Sequence, residues 1–258
     1  MSIHPTAVID PQARLAASVR VGPYAVIGAE VEIGEETEVG AHVVIDGPIR
    51  IGRRNRIFPF CTIGLIPQDL KFRGERSEVI IGDDNRIREF VSIHRGTEGG
   101  GALTRVGNFN LLMAYVHIAH DCLLGDSVIM GNGATLAGHV VIEDHATIGA
   151  FCGIHQFCRI GRHAFIGGYT VVTQDALPFS RTVHERGAKV YGVNVVGLRR
   201  RGFTDARIEH IHQAVRLLTQ SKLNTSQALE KIRESLDQNE DIEALVRFVE
   251  TAERGVIK

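Results

Sequence analysis

Aliphatic residues recur at every sixth position in one phase through most of this chain, over residues 3–57, 81–93 and 106–172. A period of six matches neither an amphipathic helix nor a strand that alternates polar and apolar residues. Glycine or another turn-forming residue usually follows each aliphatic, and a second small residue comes four positions after it. The pattern predicts a β-helix of hexapeptide repeats, with short parallel strands, tight corners and about eighteen residues in each coil.

Two interruptions break this phase before the repeat ends near Asp175. Residues 64–80 contain polar and bulky groups, and residues 98–104 are rich in glycine. Because loops that leave a rigid scaffold commonly carry function, we expect both excursions to contribute to a site. Residues 176–193 are predicted to form an irregular linker.

The last part of the chain has helical periodicity. Three apolar stripes follow one another, and we predict that Thr204 and Thr225 cap the first two helices. The expected fold is a β-solenoid over residues 1–186 and a C-terminal α-helical domain over residues 187–258. Known hexapeptide β-helices wind left-handed, against the usual crossover rule, and that resemblance alone sets the expected hand.

The composition agrees with a narrow core and restricts the class of protein. The 258 residues include 28 glycines and no tryptophan, and only 6% are aromatic, so branched aliphatics must fill the interior. A formal charge of −1 argues against a nucleic-acid binder. No apolar run approaches the ~20 residues of a membrane helix, and we see no signal peptide. We therefore expect a cytoplasmic protein without an integral membrane segment.

The four cysteines share one position in the repeat. Each stands four residues after a phase-defining aliphatic, at the inward small position: Cys61, Cys122, Cys152 and Cys158. A redox or metal role is one interpretation of four thiols. The phase favours the other, in which they are buried small residues in a reducing compartment.

Several histidines are predicted to lie on one side of the solenoid. Repeats eighteen residues apart stack in consecutive coils, so His120, Gly138 and Gln156 share one outward slot. The expected patch consists of His117, His120, Gly138, His139, His155 and Gln156. Other histidines, including His145 and His163, are expected to be surface groups.

The patch has the groups that acyl transfer needs. His120 precedes Asp121, and an imidazole beside a carboxylate can act as a general base near neutral pH. The backbone N–H of Gly138 suits an oxyanion donor, and the stack contains no serine or cysteine nucleophile. Direct acyl transfer to a hydroxyl or an amine is therefore favoured. A zinc site of three histidines is the competing hypothesis, and an inert scaffold would need neither excursion nor helical domain.

Six short motifs belong to a match with a known family that spans nearly the whole chain. They are Gln68-Asp69-Leu70-Lys71, His94-Arg95-Gly96-Thr97, Ile118-Ala119-His120-Asp121, His155-Gln156-Phe157-Cys158, Gly192-Val193-Asn194 and Arg200-Arg201-Gly202-Phe203. On these residues the chain resembles the UDP-N-acetylglucosamine O-acyltransferases. The resemblance implies transfer of an (R)-3-hydroxyacyl chain from acyl carrier protein to the glucosamine 3-position, which is the first step of lipid A biosynthesis. It also implies a homotrimer that needs no metal or other cofactor.

Matched residue by residue, the resemblance implies roles for single positions. His120 is the expected base, supported by Asp121, and Gly138 is the expected oxyanion donor. The positions expected to bind the sugar nucleotide are Asp69, Lys71, His117, His139, His155, Gln156, Asn194 and Arg200. Gly168 matches a position that limits acyl-chain length, and a glycine there implies a long donor such as 3-hydroxymyristoyl.

The chain departs from the family pattern at two places. Val196 stands where many relatives carry a glutamate, and residues 185–188 replace a more usual turn. Alternatives within the superfamily are the later N-acyltransferase of the same pathway, an enzyme that acylates a 3-amino sugar nucleotide, and a coenzyme-A-dependent acetyltransferase. The first normally has an extra N-terminal domain, whereas here the repeat begins at Ile3. The sequence leaves the 3-hydroxyl and 3-amino acceptors undistinguished.

Overall fold

The computed structural model describes residues 2–184 and 188–258, in which a three-sided parallel β-helix precedes four α-helices. Residues 185–187 lie outside the described residues. They include the predicted domain boundary at 186/187 and three of the four residues of the departure at 185–188. The three sides are named faces A, B and C in the order in which the chain visits them. Each edge takes the names of the two faces that it joins.

Face A carries an eleven-stranded sheet and face B a nine-stranded sheet. The strands of face A are Ser2–Ile3 (β1), Arg20–Val21 (β4), Glu38–Val39 (β7), Arg56–Ile57 (β10), Arg86–Ile87 (β13), Leu111–Leu112 (β16), Ile129–Met130 (β19), Thr147–Ile148 (β22), Phe165–Ile166 (β25), Ser180–His184 (β27) and Ala188–Val193 (β28). The strands of face B are Val8–Ile9 (β2), Val26–Ile27 (β5), Val44–Ile45 (β8), Thr62–Leu65 (β11), Ser92–His94 (β14), His117–Ile118 (β17), Thr135–Leu136 (β20), Gly153–Ile154 (β23) and Val171–Val172 (β26).

Face C carries eight strands. They are Arg14–Leu15 (β3), Val31–Ile33 (β6), Ile49–Ile51 (β9), Glu78–Ile81 (β12), Leu103–Val106 (β15), Leu123–Leu124 (β18), Val141–Ile142 (β21) and Arg159–Ile160 (β24). Neighbouring strands on all three faces are parallel, except that β28 pairs antiparallel with β27.

The six-residue period produces these faces because each aliphatic points into the prism. Ile118 and Leu136 are fully buried and pair directly across β17 and β20, eighteen positions apart. The predicted inward cysteines are buried and not disulfide-bonded, which confirms the interpretation as core residues. Burial raises the pKa of the Cys61 and Cys122 thiols to about 12.

Both predicted excursions leave the solenoid at the BC edge. Thr62 of β11 pairs with Ser92 of β14, 30 positions away instead of 18, and the twelve extra residues match the loop over 66–77. Ser92 pairs with His117 of β17 at 25 positions, because the chain makes a second excursion that contains the 3₁₀ turn Glu98–Gly100. The ends of the segments predicted as loops, 64–65, 78–80 and 103–104, belong to strands.

The prediction of an irregular linker over 176–193 is wrong for residues 180–184 and 188–193, which form strands. Strand β27 adds to β25 at the end of face A, and β28 pairs with it as a hairpin. The last coil would otherwise leave its backbone groups on face A without partners, so the hairpin continues the sheet beyond the end of the repeat.

Four helices complete the described chain: Val195–Arg200 (α1), Asp205–Thr219 (α2), Thr225–Ser235 (α3) and Glu240–Glu250 (α4). The prediction that Thr204 caps α2 is confirmed, since its side chain accepts a hydrogen bond from the Arg207 N–H. The cap of α3 is Asn224 rather than Thr225, because Asn224 and Gln227 form a reciprocal capping box. None of the helices within the described ranges has the length and apolar character needed to cross a bilayer.

Side chains stack along the other two edges. On the CA edge, the expectation that His163 is a surface group is wrong, because its ring is buried between those of His145 and Phe179.

An aromatic ladder follows the AB edge, with ring centroids 4.8–5.1 Å apart. This ladder consists of Tyr24, His42, Phe60, Phe90 and Tyr115. Its tyrosines and phenylalanines are exposed.

Candidate active site

The predicted column of site residues lies on the BC edge. The His139 N–H donates to the His120 carbonyl at 3.1 Å, and the Phe157 N–H donates to the Gly138 carbonyl at 3.3 Å. These bonds join three successive corners of the solenoid, so the predicted stacking of His120, Gly138 and Gln156 is confirmed. The same edge carries both excursions.

His120 and Asp121 form a hydrogen-bonded pair at this edge. His120 Nδ1 lies 2.7 Å from Asp121 Oδ2, and the Asp121 side chain is completely buried. An ionised carboxylate can only accept, so Nδ1 carries the proton in this pair and Nε2 is left as the acceptor. The His120 ring is 14% exposed, which leaves it accessible from the edge. The pair has the geometry of a general base held by a carboxylate.

Gly138 packs directly against the His120 ring. A Cβ placed on Gly138 would lie 2.5 Å from His120 Cε1 and 2.7 Å from Nε2, so a side chain here would displace the ring. The Gly138 N–H donates to no other described residue. A residue that packs against the acceptor nitrogen and whose N–H has no partner among the described residues can serve as an oxyanion donor.

His139 lies on the other side of the same carboxylate. Its Nε2 is 3.8 Å from Asp121 Oδ2, and its ring stacks on Phe157 with centroids 4.4 Å apart. Burial lowers the pKa of His139, although the Asp121 and Asp69 carboxylates oppose that effect. The imidazole is therefore uncharged at neutral pH and can form hydrogen bonds without adding a positive charge.

One group of potential metal ligands exists among residues 2–184 and 188–258. It consists of His120, Asp121 and His139, whose donor atoms lie within 4.8 Å of one another. This group has two histidines, whereas the zinc hypothesis requires three. Both Asp121 oxygens already accept hydrogen bonds from Thr97, and His120 Nδ1 faces the same carboxylate. The contacts therefore favour a proton-transfer pair over a metal centre.

His117 and His94 lie beside the His120–Asp121 pair. His117 belongs to strand β17 and His94 to strand β14, both on face B. His117 Nδ1 is 2.7 Å from Ser92 Oγ, and the His94 ring meets the His117 ring edge-on at 5.0 Å. Burial lowers the pKa of His94 to about 4 and also lowers the pKa of His117. Both rings are therefore neutral at pH 7, and they can form hydrogen bonds to a polar ligand.

The first excursion brings Asp69 and Lys71 to the same edge. The Lys71 N–H donates to Asp69 Oδ1 at 2.9 Å, which forms a turn that exposes the Lys71 side chain. Phe72 lies under the Arg95 guanidinium at 5.7 Å, so the residue that directly follows β14 supports the first excursion. Further along the edge, His155 and Gln156 are exposed, and His155 Nδ1 lies 3.1 Å from the Gln156 carbonyl.

Three predicted residues lie on other edges of the prism. Gly168 is exposed on the AB edge, three coils beyond the level of His120. Asn194 caps α1 and donates to the His163 carbonyl on the CA edge, and Arg200 is exposed at the end of that helix. One side of the prism takes about six residues, or roughly 15–20 Å, so these groups do not join His120 within one chain.

Sequence reasoning missed the residues that hold Asp121. Thr97 donates twice to its carboxylate, and the Thr104 hydroxyl accepts from its backbone N–H at 2.8 Å. Two signals were available: Thr97 ends the motif His94-Arg95-Gly96-Thr97, and both threonines stand at the borders of an excursion. Of the departures from the family pattern, Val196 is 61% exposed on α1 and has room for a polar replacement.

The repeated solenoid and the edge-mounted imidazoles define a transferase of the hexapeptide class. The family model described as bacterial transferase hexapeptide (six repeats) matches residues 103–138 and 139–174. The model described as UDP N-acetylglucosamine O-acyltransferase, domain 2, matches residues 175–257.

Similar proteins identify the family. The acyl-[acyl-carrier-protein]–UDP-N-acetylglucosamine O-acyltransferase of Halorhodospira halophila is 50% identical over 256 residues, which cover 99% of either chain. The solved UDP-N-acetylglucosamine acyltransferase of Bacteroides fragilis is 44% identical, with a TM-score of 0.96 and 99% of either chain covered. That of Francisella novicida is 41% identical, with a TM-score of 0.96, and covers 99% of this chain and 93% of its own. The chain belongs to the UDP-N-acetylglucosamine O-acyltransferase family, and its β-helix is left-handed.

We predict that Gly138→Ala lowers kcat by about 100-fold, because the new Cβ would move the His120 ring. Displacing a catalytic group by about 1 Å can lower a rate by about that factor. Gly153→Ala is the matched control, since a Cβ at Gly153 meets no atom within 4 Å. Steady-state acyl-transfer rates of both variants provide the measurement. Equal rates for the two variants would contradict the packing argument.

Proposed function

We propose that this chain transfers an (R)-3-hydroxyacyl chain from acyl carrier protein to the glucosamine 3-hydroxyl of UDP-N-acetylglucosamine, the first step of lipid A biosynthesis. The Halorhodospira halophila relative is named for this pair of substrates. The observation that carries the proposal is the His120–Asp121 pair, with Gly138, whose N–H donates to no described residue, packed against the same ring.

The geometry supports a direct transfer. His120 Nε2 accepts the proton of the sugar hydroxyl while the sugar oxygen attacks the thioester carbonyl carbon. The Gly138 N–H donates to the oxyanion that forms. Collapse of this intermediate breaks the carbon–sulfur bond, and the departing thiolate takes the proton from His120. Asp121 balances the transient charge on the imidazolium.

A covalent acyl-enzyme has no support among the cysteines. All four thiols are buried in the core, and burial raises the pKa of Cys61 and Cys122 to about 12 and that of Cys158 to about 11. A protonated, inaccessible thiol is a poor nucleophile. Free thiols also favour the cytoplasm, where acyl carrier protein would be the acyl donor.

Hydrogen-bonding imidazoles and one flexible cation are suited to the sugar nucleotide. His117, His139 and His155 provide hydrogen bonds along the edge, together with the amide of Gln156. Asp69 and Lys71 approach from the first excursion, and the exposed Lys71 ammonium can pair with a phosphate. In this proposal Asn194 and Arg200 bind the nucleotide end of the same molecule.

Those last two residues require a second copy of the chain. Asn194 and Arg200 lie along the CA edge, whereas His120 lies on the BC edge. In a homotrimer around an axis parallel to the prism, one chain presents its BC edge to a neighbour. The exposed aromatic ladder and Leu70, which is 96% exposed at the tip of the first excursion, are apolar surfaces that such a neighbour would cover.

Product analysis tests the reaction. Purified protein is incubated with acyl carrier protein thioesters and either UDP-N-acetylglucosamine or its 3-amino analogue, and products are read by mass spectrometry. We expect an ester with the 3-hydroxyl acceptor, and His120→Ala should lower kcat by about 10²–10⁴-fold with little change in nucleotide affinity. A preference for amide formation would support the 3-amino acceptor instead, and near-normal turnover by His120→Ala would exclude His120 as the base.

Mixing two defective variants tests whether the site is shared. His120→Ala and Arg200→Ala chains are co-expressed with different tags and assayed at subsaturating nucleotide. If one chain supplies His120 and its neighbour supplies Arg200, about a quarter of the interfaces in a random trimer contain both groups, so activity should return to about that fraction of wild type. Activity no higher than the mean of the two parent variants would place both residues in one chain.

Gly168→Met is expected to shift the preferred donor from long to short acyl chains. The backbone at Gly168 is not left-handed, and a Cβ would meet only Ala150 within 4 Å, so conformation does not require glycine. Shortening an acyl groove by four carbons would change the preference by ~3 kcal/mol at ~0.8 kcal/mol per methylene, roughly 100-fold. Turnover with donors of ten, twelve and fourteen carbons gives the profile. An equal loss for every donor would show that Gly168 only shapes the backbone.

A further inference from the structure

We propose that Thr97 is a positioning residue for this reaction: its hydroxyl orients the Asp121 carboxylate, which in turn holds His120 with Nδ1 protonated and Nε2 free. This inference rests on the proposed function of His120. Among the described residues, Thr97 makes no hydrogen bond to His120 or to the residues expected to bind substrate, so its effect is expected to pass through Asp121.

The carboxylate receives donors from two directions. The Thr97 backbone N–H donates to Oδ1 at 2.8 Å, and the Thr97 hydroxyl donates to Oδ2 at 2.6 Å. His120 Nδ1 meets the same Oδ2 at 2.7 Å. Two donors from one residue, one to each oxygen, fix the plane of the carboxylate. The direction of Oδ2, and with it the orientation of the imidazole, follows from that plane.

Burial makes these donors necessary. The Asp121 side chain has no exposed area, and Thr97 is 5% exposed, so solvent cannot replace a missing hydrogen bond. A buried carboxylate that loses a donor is strongly destabilised and turns towards any other partner. His139 Nε2, at 3.8 Å, is such a partner and would compete with His120.

The glycine-rich composition of the second excursion follows from this contact. A Cβ on Gly100 would collide with the Asp121 carboxylate, and a Cβ on Gly96 would lie 2.8 Å from its Oδ1. Glycine at these two positions lets the loop backbone close over Asp121 and brings Thr97 within reach. The excursion predicted from sequence as a functional loop thus encloses the Asp121 carboxylate.

The hydroxyl can be removed without removing the loop. The turn is held by backbone bonds to the Thr97 carbonyl from the Ala102 N–H at 2.8 Å and the Gly100 N–H at 3.0 Å. Valine has nearly the shape of threonine, and the N–H bond to Oδ1 does not depend on the side chain. Thr97→Val therefore deletes one hydrogen bond to Asp121, and Thr97→Ser keeps it.

The experiment compares these two variants with wild type and His120→Ala. Thr97→Val should lower kcat about 10- to 100-fold, with KM for UDP-N-acetylglucosamine changed less than about threefold, and Thr97→Ser should recover most of kcat. The downfield proton resonance of the His120 N–H, identified by its loss in His120→Ala, should disappear or broaden in Thr97→Val and persist in Thr97→Ser. Thr37→Val controls for loss of a buried hydroxyl, since Thr37 makes two hydrogen bonds in the solenoid far from the site and should keep kcat.

The outcomes separate this inference from the proposed function. Normal kcat in Thr97→Val, with activity lost in His120→Ala, would overturn the role of Thr97 and leave the base in place. Normal kcat in His120→Ala would overturn the proposed base itself. Equal losses in Thr97→Val and Thr97→Ser, with the downfield resonance retained, would show that Thr97 only shapes the loop.

Discussion

The structure depends on one constraint, which is that each coil of the solenoid must continue the backbone ladder of the coil before it. An aliphatic residue at every sixth position satisfies this by filling a narrow interior, and the pairing of Ile118 with Leu136 shows the resulting register of eighteen. Extra residues can then be accommodated only at edges. Both excursions obey that limit, since β14 and β17 return to register on face B after offsets of 30 and 25 positions.

This ladder also builds the site. Because residues eighteen apart lie one above the other, His120 and Gly138 come into contact although nothing local in the sequence joins them. The edge position keeps the His120 ring accessible, while the carboxylate behind it is buried and held by Thr97. Burial keeps His94, His117 and His139 neutral, so these three imidazoles add no positive charge beside the His120–Asp121 pair.

A prism separates groups on different edges, and that separation shapes the proposed function. The His120–Asp121 pair lies on the BC edge. Asn194, the N-terminal cap of α1, is hydrogen-bonded to the CA edge. No bending of so regular a solenoid would bring them together, because the ladder on each face is continuous. The proposed completion of the site by a neighbouring copy rests on this separation, and such a neighbour would also cover the exposed aromatic ladder.

The sequence alone determined every feature that follows the period: the three-sided solenoid, the buried cysteines, and the column of His120, Gly138 and Gln156. A strict repeat converts position in the chain directly into position in space. The tertiary structure alone decided the contacts made where the period fails. The reach of Thr97 to Asp121, the hairpin that continues face A and the burial of His163 depend on the paths of loops and on the closing of an open coil. Those paths are set by which buried polar groups need partners, and that need exists only once the solenoid has formed.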